Sequence, residues 1–600
     1  MHSNTKRLSV FLILLLVSVM ILSSCTLLDK YLSGKEDADT SESSNKTNSG
    51  YNKINSKVFI IDASASMMAK SNNEDTRFER ALFELKEDIE KTLELNNAEV
   101  SIILAHNKAS YVIKQATAAS KSEIMEALKV LREAADCAQA CSYGKADIEG
   151  AMHLAELVTA FTPDVEVVLY TDTSYANPGN VTVKNVCSGS DFNVAILDTR
   201  MIELTHGYTI EVDVVSYGIN KIVTIYTLVE GTIGADYYSY PVSFELSISA
   251  SLRNGEVTTI SIPGYDESDF NLYYEYVNTF KTDYPYLYEL TSYNSVTARV
   301  DAEDSFEYDD VFYLLGGEKV PIKILYSSDK QNSLFHSALR IVCEKLKYRR
   351  NVQFEEFVVI PGENEQKIPN YGYDFYIYEK YLPSSLPTDA VSIICDPLSG
   401  VDGAGFKLGT TTTLAENTYL SQGTDHPITQ NICTDDILLT KYTEITDISE
   451  NYVPLLYCGT APVLLATERN DLPSVVLMPF SLNYSSLPML VDFPLMIYNI
   501  FEYYMPSTLS SFVYDVNQTV QIITNHGEAT LVMPDETVKK LTGYTNQLTV
   551  TIPGIYVVSQ ELISGNCIIE SFYVRIPASE SNILSTEDVL PNPRFMKPNN

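Results

Sequence analysis

The chain has 600 residues, 45% hydrophobic and 20% charged, a globular composition that excludes collagen-like, coiled-coil and wholly disordered chains. With 42 Lys and Arg against 78 Asp and Glu, its formal net charge is −36; it lacks the basic footprint that phosphate backbones require, so no nucleic-acid partner is expected. At roughly 150 residues per domain, the length predicts about four domains.

Lys6 and Arg7 precede an apolar run from Leu8 to Leu22 that closes on small residues, the grammar of a secretory signal and too short for a comfortable membrane span. Leu22-Ser23-Ser24-Cys25 resembles the lipobox of bacterial lipoproteins. The resemblance implies a signal peptide over 1–24, lipidation at Cys25 and a chain held on the extracytoplasmic face of the cell membrane by its lipid anchor. An uncleaved anchor helix would place the chain on the same side. No later stretch offers about 18 consecutive apolar residues. Residues 25–56 are polar and nearly devoid of apolar side chains, and are predicted to be a disordered tether. Among the remaining cysteines, Cys137 and Cys141 could pair with each other or with Cys187. Neither Cys-x-x-Cys nor a Cys/His cluster occurs, so no structural zinc site is expected.

Val58-Phe59-Ile60-Ile61 reads as a buried strand running into Asp62-Ala63-Ser64-Ala65-Ser66. Polar groups just beyond the C-terminal end of a strand face the crevice where α/β sheets bind ligands. One carboxylate and two hydroxyls at alternate positions supply the hard oxygens that Mg²⁺ and Mn²⁺ prefer. The other reading is a polar turn capping the next helix. A helix follows over Arg77 to Leu95, with Phe78, Ala81, Leu82, Leu85, Ile89 and Leu93 at three- and four-residue spacing. Strands are predicted at Val100 to Ala105 and Tyr111 to Ile113, helices at Lys121 to Arg132 and Asp147 to Ala160, and a buried strand at Val165 to Tyr170 before Asp172. Such alternation predicts a doubly wound parallel sheet.

In this order the segment 57–190 resembles a von Willebrand factor A (VWA) domain, and Asp62-x-Ser64-x-Ser66 with Asp172 resembles its metal-ion-dependent adhesion site. The resemblance implies Ser64 and Ser66 as direct ligands of Mg²⁺ or Mn²⁺, with Asp62 and Asp172 acting largely through water. It further implies a protein partner that offers a carboxylate to the metal. Alignment of Gly144 to Ala151 with the family's Gly-x-Thr-Asp pattern places Ala146 where the ligand Thr belongs. The adjacent Asp147 is then either a further oxygen donor or the cap of the helix it starts.

From 191 to 305 the helical period gives way to alternating strands, including Thr209 to Val215 and Ile222 to Val229, and an immunoglobulin-like β-sandwich is expected. Asn254-Gly255 between Phe244 to Leu252 and Val257 to Ile262 predicts a hairpin, and Tyr273 to Tyr293 a long loop or insertion. Residues 306–506 return to strand and helix. Strands are predicted at Pro321 to Tyr326, Val352 to Val359, Asp374 to Tyr378, Val391 to Cys395, Ala461 to Thr467 and Ser474 to Pro479, with helices at Ser333 to Lys347 and Leu495 to Tyr504. This second doubly wound unit resembles the flavodoxin-like, class I glutamine-amidotransferase-like domain behind the VWA domain in bacterial Bat (aerotolerance-related) proteins. Residues 507–582, with Pro553 to Tyr556 and Phe572 to Ser581 ending on Glu580-Ser581, resemble a small C-terminal β-sandwich, and 583–600 a tail.

Amidotransferase chemistry needs an exposed thiolate at a tight strand-to-helix turn. Cys395 ends a strand but is followed by Asp396 and Pro397, and a neighbouring carboxylate raises a thiol's pKa. No nucleophile elbow, dinucleotide fingerprint, P-loop or His-Glu-x-x-His is present, so no catalytic residue is assigned and the chain is not expected to be an enzyme. The expected function is partner binding through a divalent metal in cell-envelope assembly or maintenance. Two alternatives are an adhesin for host or neighbouring cells and, further off, a hydrolase or amidotransferase using Cys395. The Bat resemblance adds an indirect link to a MoxR-type AAA ATPase on the other side of the membrane.

Overall fold

The computed structural model describes residues 55–591 except 71–74, 137–138, 161–164, 177, 188, 235–239, 265–273, 317–319, 331–332, 347–349, 470, 472, 525–526, 562–566 and 585–586. Cys25, the signal and most of the tether therefore lie outside the described residues, as does Cys137. Mixed α/β and all-β sheets follow one another along the chain, with strand prevailing over helix.

The first sheet is built from β1 (Lys57–Asp62), β2 (Glu99–Ala105), β3 (Ala109–Thr117), β4 (Glu166–Thr171) and, beyond the short β5 (Ser174–Ala176), β6 (Val181–Asn185). Its order is β3-β2-β1-β4-β6, parallel throughout except for β3. Because β1 is central, it is buried on both faces. Phe59 and Ile61 pack with Phe78 and Leu85 of α1 (Arg77–Leu93) and with Ile124 of α2 (Lys121–Asp136). Val58 and Ile60 pack with Met152 and Ala155 of α3 (Ile148–Thr159). Helices on both faces explain why β1 reads as a continuous apolar run. A capping box starts α1: the Thr76 hydroxyl accepts from Glu79 N, and Glu79 Oε2 accepts from Thr76 N at 2.7 Å.

Seven strands follow: β7 (Asn193–Glu203), β8 (Tyr208–Tyr217), β9 (Lys221–Ile233), β10 (Tyr240–Leu252), β11 (Val257–Ile262), β12 (Leu290–Asp301) and β13 (Val311–Leu315). They form two sheets, β10-β9-β12-β13 and β11-β8-β7, around one apolar core. Two expectations are corrected here. Asn254-Gly255 does not close a hairpin, because β10 pairs with β9 while β11 pairs with β8 in the opposite sheet. The turn is held instead by the 216–220 turn: Gly255 N donates to Ser216 O and Gly218 N to the Asn254 side chain, both at 2.8 Å. The tyrosine-rich stretch is no loop over its described part. Tyr274–Asp283 (α4) and Pro285–Glu289 (α5) are helical and drive the fully buried Phe280 and Leu287 into the sandwich core. Val311–Leu315, expected in the next unit, hydrogen-bonds to β12.

The largest sheet has nine strands: β14 (Val320–Ser328), β15 (Arg350–Val358), β16 (Phe375–Glu379), β17 (Val391–Cys395), β18 (Lys407–Gln422), β19 (Leu438–Thr446), β20 (Tyr452–Cys458), β21 (Ala461–Thr467) and β22 (Ser474–Met478). In the order β15-β14-β16-β17-β22-β21-β20-β18-β19 the first five are parallel and the rest antiparallel. Helices α6 (Leu334–Leu346) and α7 (Asp492–Tyr504) share one face, where Phe335 meets Phe493. The other face carries Leu325, Tyr376 and Tyr378 beneath loop residues such as Ile368, Leu386 and Phe406. Among the described residues this sheet is covered by helix on one face only, where helices on both had been expected.

The last unit comprises β23 (Val513–Asp515), β24 (Thr519–Ile523), β25 (Glu528–Val532), β26 (Val538–Thr542), β27 (Thr545–Thr549), β28 (Gly554–Glu561) and β29 (Cys567–Arg575). Its sheets, β23-β29-β28-β25-β26 and β24-β27, share a core around Val520, Tyr556 and Phe572. The chain then returns to the first sheet through α8 (Ala578–Ser581) and β30 (Glu587–Val589), which pairs in parallel with β5. Ile583, Glu587–Val589 and Leu590 thus pack against the first unit, where a tail had been expected.

Candidate functional site

The site forms where β1 and β4 end side by side. Asp62, the last residue of β1, uses both carboxylate oxygens: Oδ1 accepts from Ser64 N at 2.9 Å and Oδ2 from Thr171 Oγ1 at 2.6 Å. The first bond curls the chain into the loop 63–66, and the second ties that loop to the end of β4. Ala65 N donates to Gly144 O at 3.0 Å and Ser142 N to Ala63 O at 2.7 Å, clamping it to a third loop. The result brings the Ser64 and Ser66 hydroxyls within 3.2 Å of each other, both buried.

Asp172 follows β4, and its Oδ2 receives Arg77 Nη1 at 2.8 Å. Arg77 is fully buried at the start of α1 and bonds Asp191 Oδ2 through Nη2, also at 2.8 Å. The fourth carboxylate is Glu580 of α8, whose Oε2 accepts from Ser66 N at 3.3 Å. Burial, then the charge of Asp172, pushes the Asp62 carboxyl up to about 6. Burial, then the charge of Asp62, pushes Glu580 up to about 7. Cys141 lies buried beside Asp62 and Asp172, its thiol pushed far up by burial. The Cys187 Sγ donates to Asp172 O at 3.2 Å. Cys141 and Cys187 are free thiols, so neither is paired with the other.

Of the five side chains singled out as metal donors, Asp62, Ser64, Ser66 and Asp172 converge here. Asp147 is spent elsewhere: it caps α3, Oδ1 accepting from Gly150 N at 2.9 Å and Oδ2 from Ala109 N at 3.0 Å. Ala146 packs among the apolar side chains around α3. Among the described residues no three His, Cys, Asp or Glu side chains converge on a single point, so an ion here would depend on the serine hydroxyls. Asp62, Asp172, Asp191 and Glu580 are all buried, with Arg77 paired to Asp172 and Asp191, and a cation beside Asp62 would offset charge that is costly to bury. Sequence reasoning missed Arg77, Asp191 and Glu580. Arg77 carried a weak local signal, a cation at the start of an apolar helical stripe.

Cys395 ends β17 with no exposed surface, its Sγ facing Phe480 O at 3.6 Å. Burial, then Glu379 and Asp396, pushes its thiol far up, the opposite of nucleophile activation. His336 pairs instead with Glu356 at 2.8 Å, and His426 caps a short turn through its ring nitrogen. Among the described residues no helix is long and apolar enough to cross a membrane.

No family model and no curated protein matches the chain. Among solved structures, a ThuA-like protein from Parabacteroides merdae aligns at 12% identity and a TM-score of 0.21, over 31% of this chain and 90% of its own. A β-glucosidase from Kluyveromyces marxianus aligns at 11% identity and 0.11, over 34% and 35%. A β-galactosidase from Bacteroides fragilis aligns at 9% and 0.12, over 68% and 75%. Similarities this low carry no functional argument.

Proposed function

We propose that residues 57–190 form a VWA-type binding domain and that the chain is a lipid-anchored, extracytoplasmic protein that holds a partner through Mg²⁺ or Mn²⁺. The single observation that carries this reading is the convergence of Asp62, Ser64, Ser66 and Asp172 beyond the ends of two adjacent parallel strands. Ser64 and Ser66 would hold the cation, with Asp62 and Asp172 around it. When bound, the cation supplies an open coordination position for a carboxylate. The candidate ligands gathered here are oxygen donors, so recognition is the chemistry assigned to the site. The sandwiches and the nine-stranded unit, immunoglobulin-like and amidotransferase-like on this reading, serve as scaffold, and any coupling to a MoxR-type ATPase runs through a membrane subunit.

The test is a thermal melt in chelator and then in Mg²⁺ or Mn²⁺, beside Asp62→Ala. A native-state ligand at about 100 times its dissociation constant adds roughly 2.7 kcal/mol. A metal-dependent shift abolished by Asp62→Ala supports the reading, and an unshifted melt removes it.

A further inference from the structure

The chain closes on itself at this site. After β29, Ile576 and Ile583 enter the core formed by Phe59, Phe78 and Val168, and Leu590 joins the core around Val58 and Ile60. Glu587 to Val589 pair with Ser174 to Ala176, and Asn193 Nδ2 donates to Ser581 O at 2.9 Å. Between these anchors, α8 delivers Glu580 to the serine loop, 514 residues away in sequence. Glu580 is 7% exposed. Oε2 meets Ser66 N, the backbone of a candidate ligand residue, while Oε1 has no hydrogen-bond partner among the described residues.

An ionised carboxylate with one oxygen free of donors is a hard ligand for a cation. Here the oxygen belongs to the same carboxylate that already touches the residue whose hydroxyl would bind metal. From this placement we infer that Glu580 is a built-in ligand of the site, occupying the position that a partner's carboxylate would take. The inference rests on the metal-binding reading above. Residues 576–584 are then a latch, and a partner engages the metal only by displacing Glu580. A pocket of about 10 Å³ lies between Ala578, Ser581, Tyr573 and the buried Asp309, room for about one water.

The experiment uses the full chain and Mn²⁺, read by electron paramagnetic resonance, with ¹³C-acetate as a free carboxylate probe read by its NMR line width. The wild type binds Mn²⁺ and leaves the acetate line sharp, because the position is filled. Glu580→Ala weakens Mn²⁺ about tenfold or more; added acetate restores the affinity, and its line broadens. Glu580→Gln, which keeps the side chain's shape and so guards against misfolding, also weakens Mn²⁺. If Asp62→Ala abolishes Mn²⁺ binding while both Glu580 variants bind as the wild type does and leave acetate sharp, the latch is overturned and the metal site stands. If the wild type binds no Mn²⁺ at all, both readings fall.

Discussion

Replacing Arg77 with Met tests whether the loop end of the first sheet is held by a buried charge triad. The guanidinium has no exposed surface and contacts Asp172 and Asp191 at 2.8 Å each, with a further Nε contact to Asp191 at 3.3 Å. Met approximates the aliphatic stem but removes the guanidinium that two buried carboxylates share. Breaking a buried pair in this way costs about 3–5 kcal/mol. At about 1.4 kcal/mol per factor of ten, amides of β1 should exchange with deuterium roughly two to three and a half powers of ten faster, wherever exchange follows opening of this unit. Mass spectrometry of peptides covering 57–62 isolates this unit from the others, which a single melting curve does not. Lys86→Met, on the exposed side of α1, should stay within about 0.5 kcal/mol. Because the penalty arises from lost charge pairing, adding Asp172→Asn and Asp191→Asn to Arg77→Met should recover part of it. Exchange in Arg77→Met no faster than in Lys86→Met would refute the reasoning, and no recovery in the triple variant would assign the cost to packing instead.

Thr76→Ala removes one half of the capping box of α1 and should lower stability by about 1 kcal/mol, read as faster exchange in peptides from 77–93. In the native protein a maleimide should label the exposed Cys433 and Cys567 and spare Cys395 until denaturant is added; rapid native labelling of Cys395 would reopen the enzyme reading. Asp310 has its carboxyl pushed up to about 8, first by burial and then by Asp304 and Glu307, and its Oδ1 is unsatisfied. The folded state therefore holds this proton more tightly than an unfolded Asp, near 3.9. Stability is lost as pH rises from about 4 through 8, and Asp310→Asn should flatten that slope in urea titrations; an unchanged slope would show that Asp310 ionises freely.

What could be read from the sequence was what neighbours along the chain decide. Asp62, Ser64 and Ser66 lie within five residues at the end of an apolar run, and the capping box of α1 spans four. Asp172 was legible because a second apolar run ends just before it. What failed depended on partners far away. Asn254-Gly255 has the local chemistry of a hairpin turn, yet the pairing choices of β9 and β8 send its two flanking strands to different sheets. The Tyr274–Glu289 helices were hidden because aromatics there suit a strand as well as a helix, and only the sandwich core gives Phe280 and Leu287 somewhere to go. Glu580 was read as the end of a β-sandwich, since nothing near it points to a loop 514 residues away.

The parallel pairing of Glu587–Val589 with Ser174–Ala176 sets a timetable for biosynthesis. At about 5–20 residues per second, β30 is made some 20–80 s after β5, its partner in a separate two-stranded sheet. Through that interval Ile576, Ile583 and Leu590 are missing from two cores that otherwise have their helices and strands in place. The first unit is begun before the others described and finished after them, so a lesion that removes residues from Ile576 onward would register as a defect in the unit that starts at Lys57.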